Sequence, residues 1–259
     1  MQNVHFLTIQ KRVISALLLR EIIIRYGRNN IGFLWFALEP MMFTLAVTSL
    51  WSLMKGMHAS NLPITAFALT GYASVLLWRN TSSRCSMAIK ANGGLLYHCY
   101  VQIIHIFLGR ILIEIAGATI SFVALSILFI SIGWMAPPAD ILLVILGWFF
   151  LAWFGTGLAL VIGSISERNE AIERVWHTIS YVLFPLSGAA FMVDWLPPAA
   201  QKLILYLPMV NGLELLRQGA FGTHVHTHYS ISYLIFSCSF ILLIGLAMTN
   251  EASHHVGTE

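Results

Sequence analysis

Six stretches of the sequence are apolar over about the length that a helix needs to cross a lipid bilayer. A span takes about 20 helical residues, because the hydrocarbon layer is roughly 30 Å thick. The six predicted spans are residues 31–54, 62–79, 107–132, 141–165, 175–193 and 231–248, and the fifth is predicted to be broken by Pro185 and Gly188. The chain is 58% hydrophobic and only 10% charged, whereas charged residues make up about a quarter of soluble domains. The sequence therefore predicts an all-α, polytopic membrane protein with six transmembrane helices.

The basic residues indicate how these spans are oriented. If the N-terminus is cytoplasmic, all of the 14 Lys and Arg residues except Lys55, Lys202 and Arg217 lie on the cytoplasmic side. Basic residues concentrate in the cytoplasmic loops of membrane proteins. We therefore predict that both termini lie in the cytoplasm.

Two terminal segments flank the predicted six-span domain, which covers residues 31–249. Residues 1–30 interleave basic and apolar side chains, so they are predicted to form a cytoplasmic interfacial helix and connector. Packing of this helix on a neighbouring chain is an equally good interpretation. Residues 250–259 are predicted to form a short, disordered cytoplasmic tail.

The last outer loop, residues 194–230, contains two runs of helical spacing that are too short to cross the membrane. Residues 199–207 form the first run, and Asn211 is predicted to cap the second. This pattern predicts two short helices that form a re-entrant or outer-surface hairpin, which must be covered by protein. Glu214 and Arg217 are spaced to form a local i,i+3 ion pair on one helix face.

Two acidic residues fall within or beside the predicted spans. Glu39, followed by Pro40, lies about two turns inside the first apolar run, where a carboxylate is costly. Ionisable groups at such depth typically belong to a substrate or ion pathway, although Glu39 could instead fix helix packing. Glu114 follows Arg110 at i,i+4 and is predicted to form a structural ion pair with it near the inner face.

Several motifs are absent from the sequence. It contains no GxxxxGK[ST] phosphate loop, so the chain is not expected to bind ATP itself. The three cysteines have no paired spacing, which argues against a disulfide framework or a thiolate metal site. His224, His226 and His228 alternate, but without a nearby carboxylate or cysteine they predict no metal site. No catalytic constellation of serine, histidine and carboxylate stands out.

Three patches occur in order along the chain. The first is Leu19-Arg20-Glu21, Arg25-Tyr26-Gly27-Arg28, Gly32-Phe33-Leu34-Trp35 and Leu38-Glu39-Pro40, the second is Ala88-Ile89-Lys90-Ala91-Asn92-Gly93-Gly94-Leu95, and the third is Leu207-Pro208-Met209 with Glu214 and Arg217. Together they resemble the permease subunit of type-2 ABC exporters, and most closely the capsular polysaccharide exporters. The chain departs from that pattern at residues 97–102, where related permeases usually have a basic, proline-containing segment. It also departs at Leu207, where they commonly have asparagine.

The resemblance implies a conduit formed by two copies of the chain, with two ATPase subunits bound below it. ATP and Mg²⁺ would be held by the ATPase subunits, so this chain would bind no cofactor and no metal of its own. The second patch is similar to the loop that such permeases press onto their ATPase. Its predicted contact residues are Lys90, Ala91, Asn92, Gly93, Gly94 and Leu95.

The resemblance also implies a substrate pathway. A sugar polymer is too polar to cross hydrocarbon, and sugar rings stack well on aromatic faces, so we predict a path lined by Glu39, Phe43, Tyr72, Tyr181 and Phe191. For any one of these aromatic residues, packing or interfacial anchoring is the alternative. Exported chains of this family are thought to carry a phospholipid-type anchor, and the arginine fork suits phosphate oxygens. The residues predicted to meet that phosphate are Arg25, Arg28, Arg79 and Arg84, although the positive-inside rule alone explains most of them.

The resemblance implies the transmembrane subunit of an ATP-driven exporter that moves lipid-linked capsular polysaccharide across the bacterial inner membrane. Periplasmic and outer-membrane export components would be further partners, and nucleic acid would not. An O-antigen or teichoic-acid exporter is the close alternative, and drug efflux is a distant one. An integral-membrane enzyme acting on envelope glycolipids is the alternative from another class. A proton-coupled carrier is disfavoured, because the second, fourth, fifth and sixth spans contain no acidic residue.

Overall fold

The computed structural model describes residues 2–26, 38, 41–42, 44–47, 49–50, 63–96 and 101–256. Every regular element within these residues is helical, which confirms the predicted all-α class. The α-helices are α1 (Gln2–Tyr26), α2 (Ile64–Cys85), α3 (Ala88–Ala91), α4 (Gly93–Leu96), α5 (Ile103–Ile132), α6 (Ile141–Arg168), α7 (Glu170–Leu186), α8 (Pro198–Ile204), α9 (Pro208–Phe221) and α10 (Ile231–Val256). The described residues between 38 and 50 are also helical, and the rest of the first predicted span lies outside the described residues.

Three helices are long and apolar enough to cross a membrane by length and composition. They are Ile103–Ile132, Ile141–Glu167 and Ile231–His254, and they correspond to the third, fourth and sixth predicted spans. The second and fifth predicted spans are helical as α2 and α7, but over the described residues neither helix combines the length and the apolar composition of a span. The count of six spans therefore remains a prediction.

The fifth predicted span breaks where Pro185 and Gly188 were predicted to interrupt it. Its helix, α7, ends at Leu186 and does not continue to Val193. The chain turns at Gly188, whose φ of +80° lies in the left-handed region that glycine adopts without strain. After the turn, Ala189 packs closely on α2: a Cβ added to Gly71 would lie 2.5 Å from the Ala189 carbonyl oxygen.

The last helix is longer than expected. The structure continues α10 to Val256, so the prediction of a disordered tail from Asn250 is wrong for the residues up to Val256. The hydroxyl oxygens of Ser164 on α6 and Thr249 on α10 are 3.0 Å apart, and Ala252 is buried. These contacts hold the polar end of α10 against the rest of the chain.

The central helix of the described structure is α6, which packs against α2, α9 and α10. Asp140 caps its N-terminus, since the carboxylate accepts hydrogen bonds from the backbone N–H groups of Leu142 at 2.8 Å and Leu143 at 3.2 Å. Trp148 of α6 stacks on Phe122 of α5 with ring centroids 4.5 Å apart. The position of α6 therefore determines how the helices on either side of it are arranged.

The short helix α9 lies antiparallel along the first half of α6. Glycines permit this approach: a Cβ added to Gly219 would lie 2.5 Å from the backbone nitrogen of Val144, and one added to Gly147 would lie 2.6 Å from that of Leu216. Almost all of α9 is buried. The two short helices α8 and α9 are thus present, whereas their depth in a membrane remains a prediction.

The N-terminal helix α1 packs along α5 of the same chain. Leu17 is buried, and a Cβ added to Gly109 of α5 would lie 3.7 Å from the Leu17 Cβ. Glu21 forms an ion pair with Arg110 of α5. The interfacial helix predicted for residues 1–30 is helical over Gln2–Tyr26. Its place at the membrane surface remains a prediction.

Candidate functional site

A cleft of about 300 Å³ lies between the end of α2, the start of α5 and the middle of α7. Its polar lining residues are Arg79, Asn80, Ser83, Arg84, Arg110, His177, Ser180 and Tyr181. We name it the inner cleft, after the predicted orientation of the chain. It brings together Arg79 and Arg84, predicted to meet a lipid phosphate, and Tyr181, predicted to line the substrate pathway.

Helical spacing positions these side chains. Arg79 and Ser83 are four residues apart on α2, as are His177 and Tyr181 on α7, so each pair shares one helix face. The Arg79 guanidinium carbon lies 5.5 Å from the centroid of the Tyr181 ring, a cation–π contact. Tyr181 remains 67% exposed. The cleft therefore presents a cation and an aromatic ring side by side.

Ion pairs between helices surround the inner cleft. The Arg84 Nε atom lies 3.5 Å from the Glu114 Oε1 atom, and the Arg110 Nε atom lies 3.3 Å from the Glu21 Oε1 atom. Arg110 also donates a hydrogen bond of 2.7 Å to the Arg84 carbonyl oxygen. Arg110 and Glu114, which were predicted to pair with each other, thus each pair with a residue of another helix. With Arg79, the described residues place three arginines and two carboxylates in and around the cleft, which favours an anionic ligand there.

The other described pathway residues are Tyr72 on α2 and Phe191 after α7. Tyr72 packs edge-on against Phe184 with ring centroids 6.0 Å apart. Phe191 lies beyond the end of α7, where its carbonyl oxygen accepts a hydrogen bond from Arg217. The structure therefore places Tyr72 and Tyr181 along the line where α2 meets α7, with Phe191 past the end of α7.

Several predicted site residues cannot be located in the structure. Arg28, Glu39 and Phe43 lie outside the described residues. Arg25, Lys90 and Leu95 belong to described helices, but their side chains are outside the description. Their predicted roles remain predictions.

The predicted ATPase-contact segment is divided between buried and open positions. Asn92 is buried, accepts a hydrogen bond from the Arg20 guanidinium of α1, and donates one of 2.9 Å to the Ala88 carbonyl oxygen. At Gly93 and Gly94, in contrast, an added Cβ would meet no atom of the described residues within 4 Å. Asn92 thus joins the segment to α1, and the two glycines are its open part.

A small apolar cluster lies beneath this segment and holds it. Cys85, Ala88, Ile89 and Phe107 are buried together there. The Cys85 side chain lies beyond the predicted second span, and burial raises the pKa of its thiol. The protonated thiol packs as a small apolar group.

At the other end of α2, Arg217 of α9 is fully buried. It donates hydrogen bonds to the carbonyl oxygens of Phe191 at 2.7 Å, Gly188 at 2.8 Å and Ala189 at 3.0 Å. Its guanidinium carbon also lies 4.0 Å from the centroid of the Phe67 ring of α2. We call this arrangement the Arg217 anchor, because it holds the turn after α7 between α9 and α2.

Glu214 and Asn211 also contact the backbone. Glu214 and Arg217 attract each other electrostatically, as predicted, but the hydrogen bonds of both go to the backbone. Glu214 accepts hydrogen bonds from the N–H groups of Val193 at 3.4 Å and His228 at 3.1 Å, whereas Arg217 bonds to the carbonyls of the turn. Asn211 donates to the Leu205 carbonyl at 2.6 Å. Since α9 begins at Pro208, Asn211 lies inside the helix, and the prediction that it caps the helix is wrong.

A second cleft, of about 640 Å³, opens beside the Arg217 anchor. Pro63, Met192, Asp194, Trp195, Phe221, His224 and His226 contribute to its lining. We name it the outer cleft. The His228 Nε2 atom lies 3.4 Å from the Asp194 Oδ1 atom. Among the described residues, no group of three His, Cys, Asp or Glu side chains is arranged to hold a metal ion.

Sequence reasoning missed His177, and it assigned Arg110 a purely structural role. The i,i+4 spacing of His177 and Tyr181 was a usable signal, because it puts both side chains on one face of α7. Which helix that face meets could not be obtained from spacing, since the contact with Arg79 joins residues far apart in the chain.

Comparison with known proteins identifies the class. The profile of the family described as ABC-2 type transporter matches residues 12–221. The chain belongs to the ABC-2 type transporter family, and the predicted resemblance to type-2 ABC permeases is confirmed.

Individual relatives cover almost the whole chain. It is 44% identical over 250 residues to the capsule polysaccharide export inner-membrane protein CtrC of Neisseria meningitidis serogroup B, covering 96% of this chain and 94% of that protein. It is 42% identical over 247 residues to the capsule polysaccharide export inner-membrane protein BexB of Haemophilus influenzae, covering 95% and 93%. It is also 28% identical over 244 residues to the polysialic acid transport protein KpsM of Escherichia coli, covering 93% of each chain. The similarity thus extends beyond the family match into α10.

Proposed function

We propose that this chain is the transmembrane subunit of an ATP-driven exporter that moves lipid-linked capsular polysaccharide across the bacterial inner membrane. The observation that carries the proposal is its identity of 44% with a capsule polysaccharide export inner-membrane protein over 96% of this chain. Two copies of the chain would form the conduit, with both termini in the cytoplasm. Export components in the periplasm and outer membrane would complete the system.

Two ATPase subunits would supply the energy by binding ATP and Mg²⁺. This division of labour is supported by the absence of a phosphate loop from the sequence. The contact would be made by residues 90–95, in which Gly93 and Gly94 are open. Movement of this segment would reach α1 through the hydrogen bond between Asn92 and Arg20, and α5 through the ion pair of Glu21 with Arg110.

The inner cleft would receive the phosphate of the lipid anchor. Arg79 and Arg84 are proposed to bind its oxygens, with Arg110 and His177 adding positive charge or hydrogen-bond donors. Arg25 and Arg28 are proposed to contribute from the approach to the first span. The polymer would then pass aromatic faces, for which Tyr72, Tyr181, Phe191, Phe43 and Glu39 remain the proposed residues.

ATPase retention tests this proposal directly. The chain is purified in mild detergent from the cells that produce it, and the nucleotide-binding protein retained with it is identified. We expect the double variant Gly93→Asp with Gly94→Asp to lose the ATPase, because two carboxylates then occupy the open part of the contact segment. Thermal unfolding should change little, because an added Cβ at either position meets no atom within 4 Å.

The matched control is the double variant Gly93→Ala with Gly94→Ala, which adds the same Cβ atoms without charge. It should retain the ATPase better than the aspartate variant. Recovery of wild-type protein with no ATPase, together with normal surface polysaccharide in cells carrying the aspartate variant, would contradict the proposed coupling.

A further inference from the structure

The outer cleft contains an aromatic platform that no predicted role has used. Trp195 lines the cleft and is 47% exposed. Its ring stacks on Phe67 with centroids 5.5 Å apart and an interplanar angle of 26°. Phe67 is itself buried and has the Arg217 guanidinium carbon 4.0 Å from its ring centroid. Trp195 is therefore supported from beneath by a packed ring and a buried cation.

The backbone that carries Trp195 is held as firmly as its ring. The preceding turn accepts three hydrogen bonds from Arg217, and the N–H group of Val193 donates to the Glu214 carboxylate. The Trp195 N–H group donates a bond of 3.1 Å to the Met192 carbonyl oxygen. An aromatic side chain held in this way loses little conformational entropy when a ligand stacks on it.

Polar groups surround the platform. Asp194 precedes Trp195, lines the same cleft, and has a side chain that is 46% exposed. His224 and His226 line the cleft as well. A carboxylate accepts hydrogen bonds and a neutral imidazole can donate or accept one, so these groups can bond to several hydroxyls at once. The cleft volume also lies within the range of small-ligand sites, about 300–1,000 Å³.

We propose that the outer cleft binds a saccharide segment, with one sugar ring stacked on Trp195 and its hydroxyls bonded to Asp194 and to the imidazoles of His224 or His226. An apolar ring face together with hydroxyls at its edge matches an indole bordered by a carboxylate and imidazoles. The inference rests on the proposed export function and deepens it, because it assigns the exported sugar a binding site at the far end of α2 from the inner cleft.

Saturation-transfer NMR on the full chain in detergent tests this inference. The probes are oligosaccharides released by mild acid from the surface polysaccharide of the producing cells, and maltohexaose as an unrelated neutral sugar. We expect the cell-derived probe to bind the wild type. Affinity should fall about tenfold in Trp195→Ala, because the stacking surface is lost, and by less in Trp195→Phe, which keeps a ring. Asp194→Asn, which leaves Trp195 in place, should weaken binding severalfold.

The matched control is Trp134→Ala, which removes another exposed tryptophan that does not line the outer cleft. It should bind the cell-derived probe as the wild type does. Equal losses in Trp134→Ala and Trp195→Ala would overturn the inference, as would unchanged binding in both Trp195→Ala and Asp194→Asn. Binding of phosphatidylethanolamine in place of either sugar would assign the cleft to a lipid headgroup and would also overturn it. If Trp195→Ala does not fold, Asp194→Asn and Trp195→Phe decide the outcome.

Failure of this inference and failure of the proposed function give different results. A wild-type chain that restores surface polysaccharide to cells lacking it, yet binds neither sugar, overturns the inference and leaves the export function standing. A chain that restores no polysaccharide contradicts the export function. Trp195-dependent sugar binding by such a chain would still support a saccharide site in the outer cleft.

Discussion

At one end of α2 Arg217 directs its hydrogen bonds to backbone carbonyls, whereas at the other end Arg79 and Arg84 line an open cleft. Arg217 is 0% exposed, and the Arg84 side chain is 46% exposed. A guanidinium has five N–H donors in a fixed planar fork. Three bonds to one turn fix the orientation of the Arg217 fork, so a ligand could not use it without opening the turn.

The environment of an arginine, and not its presence in a family motif, decides what it does. Arg217 belonged to one of the patches that carried the family resemblance, yet its contacts are those of a structural residue. Arg79 and Arg84 keep access to solvent and share their cleft with Tyr181. The Arg217 anchor contacts α2 at Phe67 and the inner cleft begins at Arg79, about 18 Å further along the helix at a rise of about 1.5 Å per residue.

The largest effect is expected from Arg217→Met, which keeps a long apolar side chain but removes the donors. Three buried carbonyl groups would lose their partner, at a cost of about 3–5 kcal/mol. Thermal unfolding of the purified chain in detergent measures the loss. Arg79→Met is the matched control at the inner cleft and should shift the unfolding temperature little. Similar shifts in the two variants would remove the distinction between a structural arginine and an accessible one.

A smaller effect on stability is expected from Gly71→Ala. The added Cβ would lie 2.5 Å from the Ala189 carbonyl oxygen and 3.0 Å from the Arg217 Nη2 atom, so the turn must move away from α2. Overpacking of this kind costs about 1–3 kcal/mol. Gly94→Ala, at which an added Cβ meets nothing within 4 Å, is the control and should unfold like the wild type. An unfolding temperature unchanged by Gly71→Ala would show that the Arg217 anchor tolerates displacement of its turn.

The sequence predicted best those elements whose signal is local. Long apolar runs predicted α5, α6 and α10, because a segment that crosses hydrocarbon needs apolar side chains over about 20 residues and must be helical to satisfy its own backbone. Pro185 and Gly188 indicated the break in the fifth predicted span, and α7 ends between them at Leu186. The contact that holds the following turn could not be obtained from the sequence. The turn there depends on Arg217, which lies 29 residues beyond Gly188 and reaches it only in the folded chain.

The candidate site residues show the same difference between local signals, which the sequence contains, and contacts that form only in the folded chain. Arg79 and Arg84 were predicted from their place at the end of an apolar run, and the structure brings them to one cleft. Arg110 was predicted to contact Glu114 on its own helix, but Glu21 of α1 is its partner in the structure. An i,i+4 pair on an exposed helix is worth only a few tenths of a kcal/mol, so the approach of another helix readily changes the partner.

At the inner cleft, Arg84→Gln is expected to change function more than stability. Loss of one charged hydrogen-bond donor to phosphate should weaken binding of the lipid anchor about tenfold. The measurement is stimulation of the retained ATPase by lipid-linked polysaccharide, titrated against wild type and variant. Arg12→Gln, on the exposed surface of α1, is the control for general attraction to acidic lipids. An equal loss in Arg12→Gln would mean that membrane charge, and not a site, accounts for the effect.

The smallest effect should come from separating Glu21 and Arg110, whose side chains are 22% and 13% exposed. Partly exposed ion pairs contribute little after the cost of ordering two side chains and the screening by salt, so a double-mutant cycle with Glu21→Gln and Arg110→Gln should give a coupling below about 1 kcal/mol. The coupling is read from unfolding temperatures at low and high salt. A coupling free energy as large as the cost of Arg217→Met would mean that the ion pairs around the inner cleft also stabilise the fold. A small one means that apolar packing at Leu17, and not this ion pair, holds α1 on α5.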